Sequence, residues 1–155
     1  MNLNSVPTTH CRRSLLKAIV IGGAIAGSLD LVAAFITFGW GVPRAIAAGL
    51  LGLDALHGGT AIWIFGVFLH YFIAYSAATV YCFSSVRLDF LKPHFIVCGM
   101  FYGIAVFLVM TLIVLPLCGL HANGPFHLDA LLRGLVMHML IIGLPIACSL
   151  QVFSQ

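Results

Sequence analysis

Three ionisable residues, Asp30, His70 and His138, stand inside long apolar stretches of this 155-residue chain. A charge held at the centre of a bilayer costs roughly 2.5–3.5 kcal/mol on insertion scales, so such side chains turn towards a protein interior or a water-filled cavity. A carboxylate beside imidazoles offers several chemistries. It can form a proton-responsive site, because an unperturbed imidazole changes charge near pH ~6.5, or it can bind an ion. Two imidazoles on facing helices can instead ligate a metal or a haem iron axially. The plain structural counterpart is a polar knot, in which the carboxylate accepts imidazole hydrogen bonds and locks helix register. Haem or a metal ion at His70 and His138 is the minor alternative, since the pair offers one site and the chain has no C-x-x-C-H attachment motif; no cofactor is expected. No Ser/His/Asp or Cys/His set has a recognisable spacing and there is no phosphate-binding loop, which points away from an enzyme.

The elements that position these residues follow from composition. Only 7% of the residues are charged and 62% are hydrophobic, against roughly 25% charged in a soluble domain, so lipid solvates this chain. One integral membrane domain over residues 1–155 is expected, an all-α bundle of four transmembrane helices near residues 16–38, 60–83, 94–117 and 130–150. Residues 45–56 read as a short interfacial or re-entrant helix after Pro43, because Gly49, Gly52 and Asp54 argue against a fifth span. The net charge of +3 comes mostly from cations flanking the spans, which excludes a nucleic-acid footprint. Arg12, Arg13, Lys17, Arg87 and Lys92 fall on one side, and Arg44 and Arg133 on the other. The positive-inside rule then predicts cytoplasmic N- and C-termini. Cys11-Arg12-Arg13 has the look of a twin-arginine export signal, but a full-length span carrying Asp30 follows it, and the cations are better read as anchors. The five cysteines have no metal-type spacing and read as unpaired thiols.

Helical phase turns the ionisable residues inward. Gly23, Gly27, Asp30, Ala34 and Thr37 share one stripe of the first span; Gly66, His70, Ala74, Ala77 and Tyr81 share one in the second; Gly134, His138, Ile141 and Pro145 share one in the fourth. Small residues on such stripes, including GxxxG at Gly23/Gly27 and at Gly99/Gly103, let helix backbones approach closely. At a rise of about 1.5 Å per residue, Asp30, His70 and His138 converge on one layer at or just outside the midplane. Asp54, His57, His121 and His127, with Asp129, form an outer approach to that layer, above an apolar inner half.

The chain also repeats. Gly66-Val-Phe-Leu-His70 returns as Gly134-Leu-Val-Met-His138, and Gly23-x-x-x-Gly27 as Gly99-x-x-x-Gly103. Each unit is a two-span hairpin, so the copies insert with the same orientation as a parallel repeat. Trp40, Trp63, Tyr71 and Tyr75 read as an aromatic belt, Asp129 and Arg133 as an i,i+4 pair, and Pro116 and Pro145 as kinks or stops.

Gly27-Ser28-Leu29-Asp30, Ala48-Gly49-Leu50-Leu51-Gly52, Gly58-Gly59, Gly66-x-x-x-His70, Tyr102-Gly103 and Val114-Leu115-Pro116 resemble the YagU-type and related four-span proteins of bacterial inner membranes. The resemblance implies a multi-pass inner-membrane protein and makes Asp30, Gly58, Gly59 and His70 part of a recurring pattern, without assigning an activity. The expected partners are the lipid bilayer and a second copy or another membrane subunit. The expected function is a proton-responsive or ion-binding intramembrane site open to the periplasm, with a redox subunit or a structural subunit of a membrane complex as alternatives.

Overall fold

A computed structural model describes residues 8–118 and 128–153, with side chains from Arg13 onward. The chain is an all-α four-helix bundle. Helix α1 spans Thr8–Phe38, α2 Val42–Leu51, α3 Thr60–Arg87, α4 Phe95–Leu117 and α5 Leu128–Phe153. Among the described residues α1, α3, α4 and α5 are long and apolar enough to cross a membrane, which is the architecture of a multi-pass membrane protein. The helices extend a few residues beyond the apolar stretches, to Arg87 and Phe153 for example, because backbone hydrogen bonding continues past the last apolar side chain.

Glycine sets the helix contacts. Along the antiparallel α1–α3 pair, Gly23 lies under Tyr75 and Gly27 under Tyr71 and Ala74. Along α4–α5, Gly99 lies against Gly143 and Ala147, and Gly103 against the backbone of His138 and Met139. The two hairpins thus pair in the same register. Tyr71 and Tyr75 stand one and five residues after His70, and Met139 and Gly143 stand one and five after His138. Helix α1 also packs on α5, where Gly22 touches Ser149 and Ile146 and the Ser149 hydroxyl donates to the Ala18 carbonyl at 2.8 Å. The α3–α4 seam closes through side chains: the Tyr81 and Tyr102 rings lie 4.9 Å apart, and the Tyr102 hydroxyl donates to the Ala77 carbonyl at 2.7 Å.

The densest core lies at the end where the N-terminus of α1 meets the C-terminus of α5. Ala18, Ala26, Ala78, Tyr81, Cys82, Leu91, Ile146, Ala147 and Leu150 form it. This end is less apolar than its hydropathy promises, because Tyr81, Ser85, Tyr102 and Ser149 carry hydroxyls into it. Three of them hydrogen-bond to helix carbonyls. The Tyr81 hydroxyl has no partner among the described residues.

At the opposite end, Gly39 takes a left-handed conformation (φ 79°) and its N–H closes α1 on the Phe35 carbonyl at 2.9 Å. Helix α2 begins with Pro43 in its first turn and stops at Gly52, φ 89°. It is more than an interfacial helix, since its Pro43 backbone packs directly onto Gly66 of α3 and Pro43, Ala47 and Ala48 are buried. The Arg44 Nε donates to the Gly58 carbonyl at 2.8 Å, pinning the following 3-10 turn Leu53–His57. Phe35, Trp40 and Trp63 cluster nearby, the Trp63 indole N–H donating to the Trp40 carbonyl at 3.0 Å. This half of the expected aromatic belt is present as a cluster at one end of the bundle. Tyr71 and Tyr75 are not belt residues, because they cover the glycines of α1 inside the hairpin.

Pro116 and Pro145 each follow a π-helical turn. Met110–Val114 and His138–Gly143 both end two residues before the proline. A proline ring clashes with the carbonyl four residues back, and widening the preceding turn relieves this. Leu115 and Leu144 accordingly donate to carbonyls five residues back, Met110 and Met139. Asp129 and Arg133 form the i,i+4 pair at 3.3 Å, well exposed.

The contact between α2 and α3 makes a specific demand on Gly66. Gly66→Ala forces a methyl into the Pro43 backbone and is expected to destabilise the purified protein by about 1–3 kcal/mol, read as a lowered Tm. A Cβ at Gly41 meets no atom within 4 Å, so Gly41→Ala is expected to melt with the unmodified protein. Equal melting of the two variants contradicts the contact.

Candidate functional site

Helices α1 and α3 bring Asp30 and His70 together. Gly27, three residues before Asp30, has no side chain to block the approach of α3, so the His70 imidazole reaches its carbonyl: Nε2 lies 2.8 Å from that oxygen. A carbonyl can only accept, so Nε2 carries the hydrogen and Nδ1 is the basic nitrogen of the neutral ring. One Asp30 carboxylate oxygen lies 4.0 Å from the same Nε2. That is ion-pair range and beyond hydrogen-bond length. The His70 side chain is 10% exposed and that of Asp30 28%.

Two further side chains frame the pair. Tyr71 meets the His70 ring edge-on at 5.7 Å, and its hydroxyl shares a 2.9 Å hydrogen bond with the Ser28 hydroxyl. This is a second link between α1 and α3, one residue along from the Gly27 contact. Neither residue stands out in the sequence, since Tyr71 is easily counted with the interfacial aromatics. The available signal is its place four residues before Tyr75, opposite the GxxxG of α1.

Exposure changes along the inward face of α1. Ala26 is 1% exposed, Asp30 and Ala34 are half-buried, and Thr37 is exposed. Positions 26, 30 and 37 lie on nearly the same side of a helix, so this face of α1 is progressively less covered from Ala26 towards the α2 end. Asp30 sits on that gradient.

His138 is held apart from the pair. Its Nδ1–H donates to the Gly134 carbonyl of its own helix at 2.8 Å, and its ring rests on Phe107 of α4 with centroids 5.3 Å apart. The two histidines occupy equivalent places in the repeat, yet only His70 bridges two helices. The crossings differ: in the second hairpin Gly143 meets Gly99 backbone to backbone, whereas in the first the equivalent of Gly143 is Tyr75, whose ring covers Gly23. The position equivalent to Asp30 is Val106, so the second hairpin also lacks the carboxylate.

Of the expected outer approach, Asp54 and His57 stand exposed on the 3-10 turn after α2. His121 and His127 lie outside the described residues. Among the described residues no group of three His, Cys, Asp or Glu side chains is arranged to hold a metal ion. The four described cysteines, Cys82, Cys98, Cys118 and Cys148, are unpaired. The His70 and His138 nitrogens that do bond are committed to two different backbone carbonyls.

The two histidines should respond differently to removal. His70→Ala deletes an interhelical hydrogen bond and leaves a cavity, for which about 2–5 kcal/mol is typical of a large-to-Ala change. His138→Ala removes a bond within one helix and is expected to cost less. Tyr71→Phe removes only the Ser28 bond, worth about 0.6 kcal/mol on average in a membrane. Thermal melts should therefore rank His70→Ala as the most damaging of the three, and a His138→Ala variant that melts lower contradicts this arrangement.

Comparison with protein-family models, with curated proteins and with solved structures finds no match to this chain.

Proposed function

We propose that this is a non-enzymatic protein of a bacterial inner membrane in which Asp30 and His70 form a proton-responsive or ion-binding site reached from the periplasmic side. The observation that carries the reading is the 4.0 Å approach of the two groups within membrane-spanning helices. Protonation of the His70 Nδ1 leaves the Nε2–H on the Gly27 carbonyl and places a positive ring beside the carboxylate. At this separation two unit charges attract by about 4 kcal/mol at an effective dielectric of about 20. An interhelical hydrogen bond in a membrane averages about 0.6 kcal/mol. A charge on the ring therefore adds an attraction between α1 and α3 that the neutral imidazole lacks.

The decreasing cover of α1 along Ala26, Asp30 and Thr37 supports access from the α2 end. Asp54 and His57 stand at that end as titratable groups in an approach from water. Access from one side only is what a site needs in order to load a proton or cation without leaking it. His138 has no carboxylate partner among the described residues and is not required by this reading.

Reconstituted proteoliposomes under an imposed pH or cation gradient test it. Flux is expected to vary with pH, and Asp30→Asn and His70→Ala are each expected to abolish that dependence. If both variants lower Tm but conduct as the unmodified protein does, the pair is a structural knot and the proposal falls.

A further inference from the structure

We propose that a cleft between the first turns of α1 and the end of α5 binds the headgroup of an anionic phospholipid. The cleft is lined by Arg13, Ser14, Lys17 and Phe153 and encloses about 230 Å³. Its floor is closed one turn deeper, where the Ser149 hydroxyl meets the Ala18 carbonyl and Gly22 draws α5 against α1. Arg13 and Lys17 stand four residues apart on one face of α1, both exposed. Like charges at that spacing repel each other. No carboxylate lies within ion-pair distance of either among the described residues. An anion seated between them, with the Ser14 hydroxyl as a further donor, removes the repulsion and satisfies both cations.

The surroundings identify the anion as a lipid phosphate. Arg13 and Lys17 immediately precede the uninterrupted apolar run that begins at Ala18, so the cleft opens at headgroup level. Basic pockets between transmembrane helices at that depth suit anionic headgroups. Phe153 offers an apolar wall, and it packs against the core rather than swinging free. Directly along α1 from Lys17, Val20 and Ile21 are exposed and continue as an apolar track where an acyl chain can lie. A soluble phosphate has no use for that track.

Native mass spectrometry of the full-length protein, titrated with phosphatidylglycerol or phosphatidylcholine, tests the assignment. Phosphatidylglycerol is expected to be retained at least fivefold more strongly, with the preference lost in R13Q/K17Q. Arg87 and Lys92 lie at the same end of the bundle but do not line the cleft, so R87Q/K92Q is expected to keep the preference. Equal retention of the two lipids overturns the proposal, as does equal loss in both double variants, which marks diffuse surface charge. Displacement of the lipid by millimolar inorganic phosphate assigns the cleft to a soluble anion and overturns it as well.

Discussion

Backbone-to-backbone approach at glycine is the constraint on which the rest of this bundle depends. In lipid there is no hydrophobic gain from bringing apolar helices together, so association rests on close van der Waals packing and a few hydrogen bonds. Close packing requires glycine where helices cross. Gly22, Gly23 and Gly27 seat α1 against α5 and α3, and Gly99, Gly103 and Gly143 seat α4 against α5. Because one residue of slip would place a side chain where a glycine must be, these contacts fix register as firmly as any hydrogen bond. Most buried polar side chains then take whatever carbonyl that register brings within reach.

That order of causes explains the buried polar groups. Ser149, Tyr102, Ser85 and His70 all donate to backbone carbonyls, the acceptors that are always present on a helix and that carry a second lone pair beyond the helical bond. Such bonds satisfy the donor cheaply and make no demand on a partner side chain. Asp30 differs, because when ionised it only accepts and helix interiors expose no spare N–H. In that state the imidazole of His70, 4.0 Å away, is the group across the helix crossing that can carry the opposite charge.

Much of this was legible in the sequence. The four spans, the glycine stripes and the inward phase of Asp30 and His70 follow from apolar length and from 100° per residue, and the paired GxxxG and GxxxH segments announce two hairpins of common register. What phase cannot report is which way a side chain turns once it faces inward. His138 has the same phase as His70 yet folds back on Gly134 of its own helix. The packing of α2 was also hidden: Pro43 reads as a helix start, and nothing local says that its backbone lands on Gly66. Tyr71, Tyr75, Tyr81 and Tyr102 are ambiguous in any membrane sequence, since the same residue suits an interface or a glycine-lined crossing. The π turns were half legible, as prolines mark where a helix must yield but not how.

The repeat makes the difference between the hairpins informative. Two copies that share register would share a site if the site were only a consequence of packing. The first hairpin departs from the second at three linked positions: Asp30 for Val106, Tyr71 for Met139 and Tyr75 for Gly143. His70 reaches across to the Gly27 carbonyl where His138 folds back on Gly134; Tyr71 bonds Ser28 beside the pair; and Asp30 sets a carboxylate 4.0 Å from the imidazole. A structural hydrogen bond needs only the first of these changes. Adding a carboxylate costs insertion energy and does nothing for a neutral imidazole already bonded to Gly27. The carboxylate 4.0 Å from the imidazole is therefore what sets the first hairpin apart from the second, since the hydrogen bond to Gly27 is complete without it.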